Sequence, residues 1–248
     1  IWNHKIDIAI FMGDMNVLSN WIGAIICRMW GIKVVFWGHG FSGGESFVKK
    51  TFRIAFNRLA HEHLLYGNHA KELMLKHGFS NDKLVLVYNS LNYQRSVDLR
   101  KHYLQKSREV TFSFFKHPDL PTLIFIGRLT KIKKIELLIR AFLRLNEKSI
   151  NYNVLVIGEG IEEIKLKRLS TSMFKNGNIH FYGPCYDEKE ISQLISHTDL
   201  CISPGNVGLT AIHSLSYGTP VATHNNFTNQ MPEYEAIEPG VTGFFFKE

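Results

Sequence analysis

The chain has little of what several chemistries require. Only three of its 248 residues are cysteines. Cys27, Cys185 and Cys201 stand far apart, with no Cys-x-x-Cys pair and no His/Cys cluster. That spacing excludes a disulfide framework and a zinc site, and it makes a reducing compartment the expectation. Long hydrophobic runs are also missing. The longest near the N-terminus, residues 21–30, is interrupted by Arg28 and falls well short of the ~20 residues of a bilayer-spanning helix. There is no nucleophile elbow, no P-loop, no paired-carboxylate hydrolase constellation, no metal-ligand cluster and no nucleic-acid-binding motif. No repeat of solenoid period and no low-complexity tract is present. No signal peptide is visible. The chain opens on Ile1 rather than Met and closes on the apolar run 244–246, so it is read as a fragment with upstream residues missing.

Acidic residues are scarce in the first half. Residues 1–118 hold 16 Lys and Arg against 8 Asp and Glu, a surplus of eight; residues 119–248 hold 13 against 14, a deficit of one, which together give the net +7. The asymmetry predicts different partners for the two halves. An anionic membrane face or an anionic acceptor fits the first half. Segment 46–60 sets Lys49, Lys50, Arg53 and Arg58 among Phe47, Phe52, Ile54 and Phe56. Such a helix either packs its Phe face and solvates its Lys face or lies on an anionic membrane surface.

What is present is a globular balance, 45% hydrophobic and 21% charged, arranged in two alternating runs. Strands are expected at 6–11, 33–37, 63–66 and 84–88, with helices at 16–30, 46–60 and 70–77 between them. Residues 93–118 read as a polar, basic helix and then a connector, with two prolines over 111–121. A second run follows, with strands at 122–126, 153–157, 179–182 and 199–203 and helices at 134–147, 161–174 and 187–197. Strand–helix alternation predicts parallel, doubly wound sheets. The expected class is α/β with two Rossmann-like domains facing across a cleft, 1–115 and 116–248. Ligands are expected at the carboxyl ends of the strands.

Several glycine-rich strand ends carry polar or charged residues. Gly127-Arg128-Leu129 follows strand 122–126, and Lys133 comes five residues after Arg128. Gly158-Glu159-Gly160 follows strand 153–157, and alone it signals little beyond a tight turn. His39 sits between Gly38 and Gly40 at the end of strand 33–37. The fullest pattern is residues 203–240. A strand runs into Pro204-Gly205-Asn206-Val207-Gly208-Leu209-Thr210, then an apolar helical segment, then Gly218-Thr219-Pro220-Val221. A strand, a glycine turn and a helix leave backbone N–H groups pointing outward, ready for an anion. Gly208 permits close backbone approach, and the N–H groups and hydroxyl of Leu209 and Thr210 are candidate donors. A plain helix start capped by Asn206 is the competing reading.

The Val-Gly-Leu turn, the apolar helix and Gly-Thr-Pro-Val together resemble the donor-binding signature of retaining glycosyltransferases of the GT-B fold, family 4 type, the glycosyl transferases group 1. The resemblance covers nearly all of the chain and is strongest over residues 123–245. It implies that the N-terminal domain lacks its first strands. It also implies that Arg128 and Lys133, beside Gly127, hold a donor diphosphate, and that His39 positions the reacting sugar or acceptor. The expected donor is a UDP- or GDP-sugar, with no metal and no separate cofactor. The expected acceptor is a glycan or lipid-linked sugar in surface polysaccharide or lipopolysaccharide synthesis. The expected place of action is the cytoplasm, peripheral on the inner face of the cytoplasmic membrane.

The departure from the family is specific. Its members carry two glutamates, with seven residues between them, that bracket this turn and helix; here those positions are Gly205 and His213. In the family the first reads the transferred sugar and the second the ribose. A neutral imidazole accepts one hydrogen bond and donates another, so His213 is a workable substitute with its own pH dependence. At the sugar-reading place, Asn206, Glu233 and Glu235 are the alternatives. With both glutamates gone, two other functions stay open: a non-catalytic subunit that binds a sugar nucleotide, and a UDP-sugar epimerase of the same fold.

Overall fold

The computed structural model describes residues 6–41 and 46–247. The chain forms two compact units, Ile1–Asn89 and Ser90–Glu248. The division lies upstream of the 115/116 boundary drawn from the sequence. The segment read as a connector is built into the second unit, because it contributes core there: Phe112 and Phe115 are buried with Ile124, Leu155, Ile195 and Tyr217.

In the first unit the order is β1 (Ile8–Met12), α1 (Leu18–Met29), β2 (Lys33–Gly38), α2 (Phe47–Asn57), β3 (Glu62–Leu65), α3 (Asn68–Lys76) and β4 (Leu84–Leu86). The sheet is parallel throughout, in the order β1-β2-β3-β4. Phe36 and Phe56 stack at 4.4 Å between centroids and centre a core with Ala24 and Val34. The β1 edge and the outer face of α1 remain apolar and exposed. Ile8, Ile10 and Met12 alternate along the strand, and Leu18, Ile22, Ile25 and Met29 follow one helical stripe.

The second unit begins with α4 (Tyr93–Tyr103) and α5 (Arg108–Thr111) and continues through β5 (Thr122–Ile126), α6 (Ile135–Glu147), β6 (Asn153–Ile157), α7 (Glu163–Leu169), α8 (Thr171–Asn176), β7 (Ile179–Gly183), α9 (Glu188–Ser196), β8 (Leu200–Ser203), α10 (Thr210–Ser216), β9 (Val221–His224) and β10 (Gly243–Phe246). The helix expected over 161–174 is two helices, α7 and α8, with the buried Ser170 between them and its hydroxyl donating to Lys167 O at 3.2 Å. The closing apolar run is β10, paired parallel to β9.

The six parallel strands stand in the order β10-β9-β8-β5-β6-β7. The chain builds outward from β5 through β6 to β7, then crosses back to place β8 on the other side of β5. The carboxyl ends of β5 and β8 are therefore adjacent at the point where strand order reverses, which is where open α/β sheets bind ligands. Arg128 leaves one of those ends and the glycine turn leaves the other.

Arg108 closes this unit's entry. Its guanidinium donates to Pro118 O, His197 O, Leu120 O and Thr122 Oγ1 and meets Asp199 Oδ2 at 2.6 Å. Asp199 also accepts from the Thr122 N–H at 2.7 Å. Removing the guanidinium leaves the Pro118 and His197 carbonyls without a described donor, so Arg108→Ala is expected to cost about 2 kcal/mol, discounted for the half-exposed carboxylate. Urea unfolding of the variant beside the wild type measures it.

Candidate functional site

Two turns build the site. At the end of β5, Gly127 takes φ 151° and its N–H donates to Ile157 O. A Cβ on Gly158 would lie 2.0 Å from Gly127 O. The Gly158-Glu159-Gly160 turn is therefore glycine for backbone packing against the Gly127 turn. Beyond Gly127, Arg128 is exposed. Its guanidinium makes no hydrogen bond or ion pair with any described residue. Lys133 closes a short 3₁₀ turn and reaches across to the second turn, where its Nζ donates to Asn206 O at 2.7 Å. Burial lowers the Lys133 pKa, the charge of Arg128 lowers it further, and Glu233 opposes both. Two cations close enough to repel each other, one of them without a counter-ion, form a place for an anion.

The second turn is fixed at nearly every atom. Gly205 N–H donates to Lys133 O at 3.0 Å. Val207 N–H donates to the Gln230 side-chain oxygen at 2.7 Å, and the amide nitrogen of Gln230 bonds Thr223 Oγ1 and His224 O. Thr223 Oγ1 in turn donates to Ser203 O. Gly208, Leu209 and Thr210 then offer N–H groups that donate to no described acceptor. Helix α10 spans only Thr210–Ser216, shorter than the apolar segment suggested, and Leu209 rather than Asn206 occupies its cap position.

Four expected contacts change character here. Gly205 is no vacated contact, since its N–H is committed to Lys133 and a Cβ would meet Ile132 O at 2.0 Å. The Asn206 Oδ1 is sealed from solvent and finds no hydrogen-bond partner among the described residues. The Thr210 hydroxyl spends its proton on Ile126 O at 3.2 Å. Glu233 is 5% exposed and acts on Lys133 through its charge. His39 is exposed at the end of β2 in the first unit, with the Tyr66 ring edge-on at 5.0 Å.

His213 does not stand alone. Its Nε2 lies 3.0 Å from Glu188 Oε1, and the same oxygen accepts from the Tyr217 hydroxyl. His213 and Glu188 border a cavity of about 380 Å³ lined also by Leu91, Asn92, Arg95 and Thr210 among others. A second cavity of about 480 Å³ is lined by Gly127, Arg128, Glu159, Cys185 and Tyr186 among others. Both fall in the size range of small-ligand pockets. Burial, helped by Glu190, pushes the Cys185 thiol up to about 11, so it sits there as a neutral thiol. Among the described residues no group of three or more His, Cys, Asp or Glu side chains is placed to hold a metal. No described helix is long and apolar enough to cross a membrane. Glu188 and Gln230 were not singled out from the sequence. Each acts on a turn or helix more than 20 residues away, and no local pattern marks such a contact.

Residues 106–248, well over half the chain, match the family described as glycosyl transferases group 1. The chain belongs to that family. The match takes in both turns, with Arg128, Lys133 and residues 203–240. Among relatives of known activity, the chain is similar to the GDP-mannose-dependent alpha-(1-6)-phosphatidylinositol dimannoside mannosyltransferase of Mycobacterium tuberculosis, 26% identical over 148 residues. That match covers 58% of this chain and 38% of the relative, so the chain spans well under half of that enzyme's length. Among solved structures it is similar to Anabaena Alr3699/HepE in complex with UDP, at TM-score 0.72 and 18% identity, with 97% of this chain and 65% of that one covered. It is also similar to the lipopolysaccharide outer core galactosyltransferase WaaB, at TM-score 0.69 and 17% identity, with 97% and 62% covered. The two parallel α/β units of this group 1 glycosyltransferase therefore have the GT-B fold.

Proposed function

We propose that the chain carries the donor site of a retaining glycosyltransferase that takes a hexose or deoxyhexose from a UDP- or GDP-sugar. The observation that carries this reading is the unpaired guanidinium of Arg128 beside Lys133, at the sheet's reversal point and opposite the open N–H groups of residues 208–210. A nucleotide diphosphate needs such an arrangement. As the bond from sugar C1 to the diphosphate oxygen breaks, negative charge grows on the leaving oxygen, and fixed cations and N–H groups stabilise it. Arg128 supplies a planar two-pronged contact and Lys133 a point charge. The acceptor hydroxyl bonds C1 on the face the diphosphate leaves, which retains configuration, and its proton passes to the departing phosphate. The cavity at Arg128 and Tyr186 suits the base of the donor.

The acceptor is a glycan or lipid-linked sugar of a surface polysaccharide. His39 is the first unit's candidate for positioning it. The basic half of the chain makes peripheral contact with an anionic membrane face through α2, where Phe47, Val48 and Phe52 are exposed beside Lys49 and Lys50. In support, the Mycobacterium relative is GDP-mannose-dependent and acts on a phosphatidylinositol dimannoside, and Alr3699/HepE binds UDP.

The test incubates the intact protein with a panel of UDP- and GDP-sugars and glycan or lipid-linked acceptors, and reads nucleotide diphosphate release. Turnover of one donor with an acceptor supports the transferase. Donor binding with no release under any condition would make the chain a binding subunit. Sugar isomerisation without acceptor would make it an epimerase.

A further inference from the structure

The helix α10 histidine occupies a place where a carboxylate is expected, and the fold brings a carboxylate to it from elsewhere. Glu188 opens helix α9, 25 residues before His213, and its Oε1 lies 3.0 Å from His213 Nε2. An ionised carboxylate only accepts hydrogen bonds, so Nε2 carries the proton of the pair. That fixes the ring's tautomer: Nδ1 is left as an acceptor, and no described residue donates to it. The His213 side chain is 17% exposed, enough for a ligand to reach it.

The pair is held from behind. Tyr217, 1% exposed in the core, donates its hydroxyl to the same Glu188 oxygen, and its ring packs 5.3 Å from that of His213. Burial on its own would raise the Glu188 pKa. The hydrogen bonds from Tyr217 and His213, with the charge of Arg95, more than offset it and leave the carboxyl below its usual range. Arg95, Glu188, His213 and Thr210 all border the 380 Å³ cavity, beside the turn that bears the open N–H groups.

We propose that Glu188 is a positioning residue of the donor site: held by Tyr217, it orients His213 so that Nδ1 accepts a hydrogen bond from a ribose hydroxyl of the bound nucleotide. The pair does together what one carboxylate on α10 would do alone, with the charge one side chain further from the ligand. The inference rests on the donor-site reading above.

Titration calorimetry of the intact protein with UDP, GDP and their 2′,3′-dideoxy forms separates the two. If wild type binds neither diphosphate, the donor-site reading itself fails. If it binds one, the ribose form should bind about 5- to 20-fold tighter than the dideoxy form, the gap expected for one hydrogen bond in a partly buried charged network. Glu188→Ala should erase most of that gap while changing dideoxy affinity by less than about twofold. Glu188→Gln keeps an accepting oxygen and should recover part of it. A purely structural role would weaken both nucleotides alike. The proposal is overturned if wild type does not discriminate, or if Glu188→Ala keeps the full gap. Should Glu188→Ala fail to fold, Tyr217→Phe removes the second bond to the same oxygen and should narrow the gap; an unchanged gap there overturns the proposal equally.

Discussion

Restoring the family's glutamate at position 205 is expected to destroy the site. Any side chain there begins with a Cβ 2.0 Å from Ile132 O and 2.7 Å from Lys133 Cα, both backbone atoms with no rotamer to yield. The two segments are pinned to each other by Gly205 N–H to Lys133 O and by Lys133 Nζ to Asn206 O. Neither can retreat without breaking the other's hydrogen bonds. Gly205→Ala should therefore already cost about 3 kcal/mol or more, the upper part of the range for overpacking, and Gly205→Glu should do worse. In kinetics both variants should lose nearly all transfer activity, because Lys133 and the turn shift together. Thermal unfolding and nucleotide binding report the two halves of this effect. A Gly205→Glu protein that folds normally and gains activity would contradict the packing described.

The second large effect separates two neighbouring cations. Arg128 is exposed and bonded to no described residue, so Arg128→Ala should leave stability within about 0.5 kcal/mol of wild type. Its transfer rate should nevertheless fall by about 10²–10³-fold, as when one fixed donor to a developing negative charge is lost. Lys133→Ala is expected to behave differently. That side chain is partly buried and holds Asn206 O, so its removal should lower both the melting temperature and the rate. Melting curves and single-turnover rates on the two variants show the contrast. Equal destabilisation of both would mean that Arg128 has a structural partner.

The parts of this protein that were legible in the sequence are those whose cause is local. Strand–glycine–helix alternation gave the parallel sheets, and the spacing from Gly127 to Lys133 marked the cationic turn. What was illegible depends on contacts across the chain. Gly205 read as a glutamate lost, whereas the approach of Ile132 O from a turn more than 70 residues earlier makes glycine the residue that fits. His213 read as a lone replacement, because nothing near it in sequence points to Glu188 on another helix. The compact units divide upstream of the expected 115/116 boundary for a similar reason. Residues 93–118 are polar and end on a proline, yet Phe112 and Phe115 insert into the second unit's core and Arg108 gathers carbonyls from Pro118, Leu120 and His197.

The central claim is that Arg128 and Lys133, with the turn at 206–210, form a diphosphate site. Calorimetric affinities of the intact protein for UDP and GDP beside UMP and GMP test it most directly. The account predicts that the diphosphate of one base binds at least about tenfold tighter than its monophosphate, and that Arg128→Ala closes most of that gap. Equal affinity for the mono- and diphosphate, or a gap unchanged in Arg128→Ala, would contradict it.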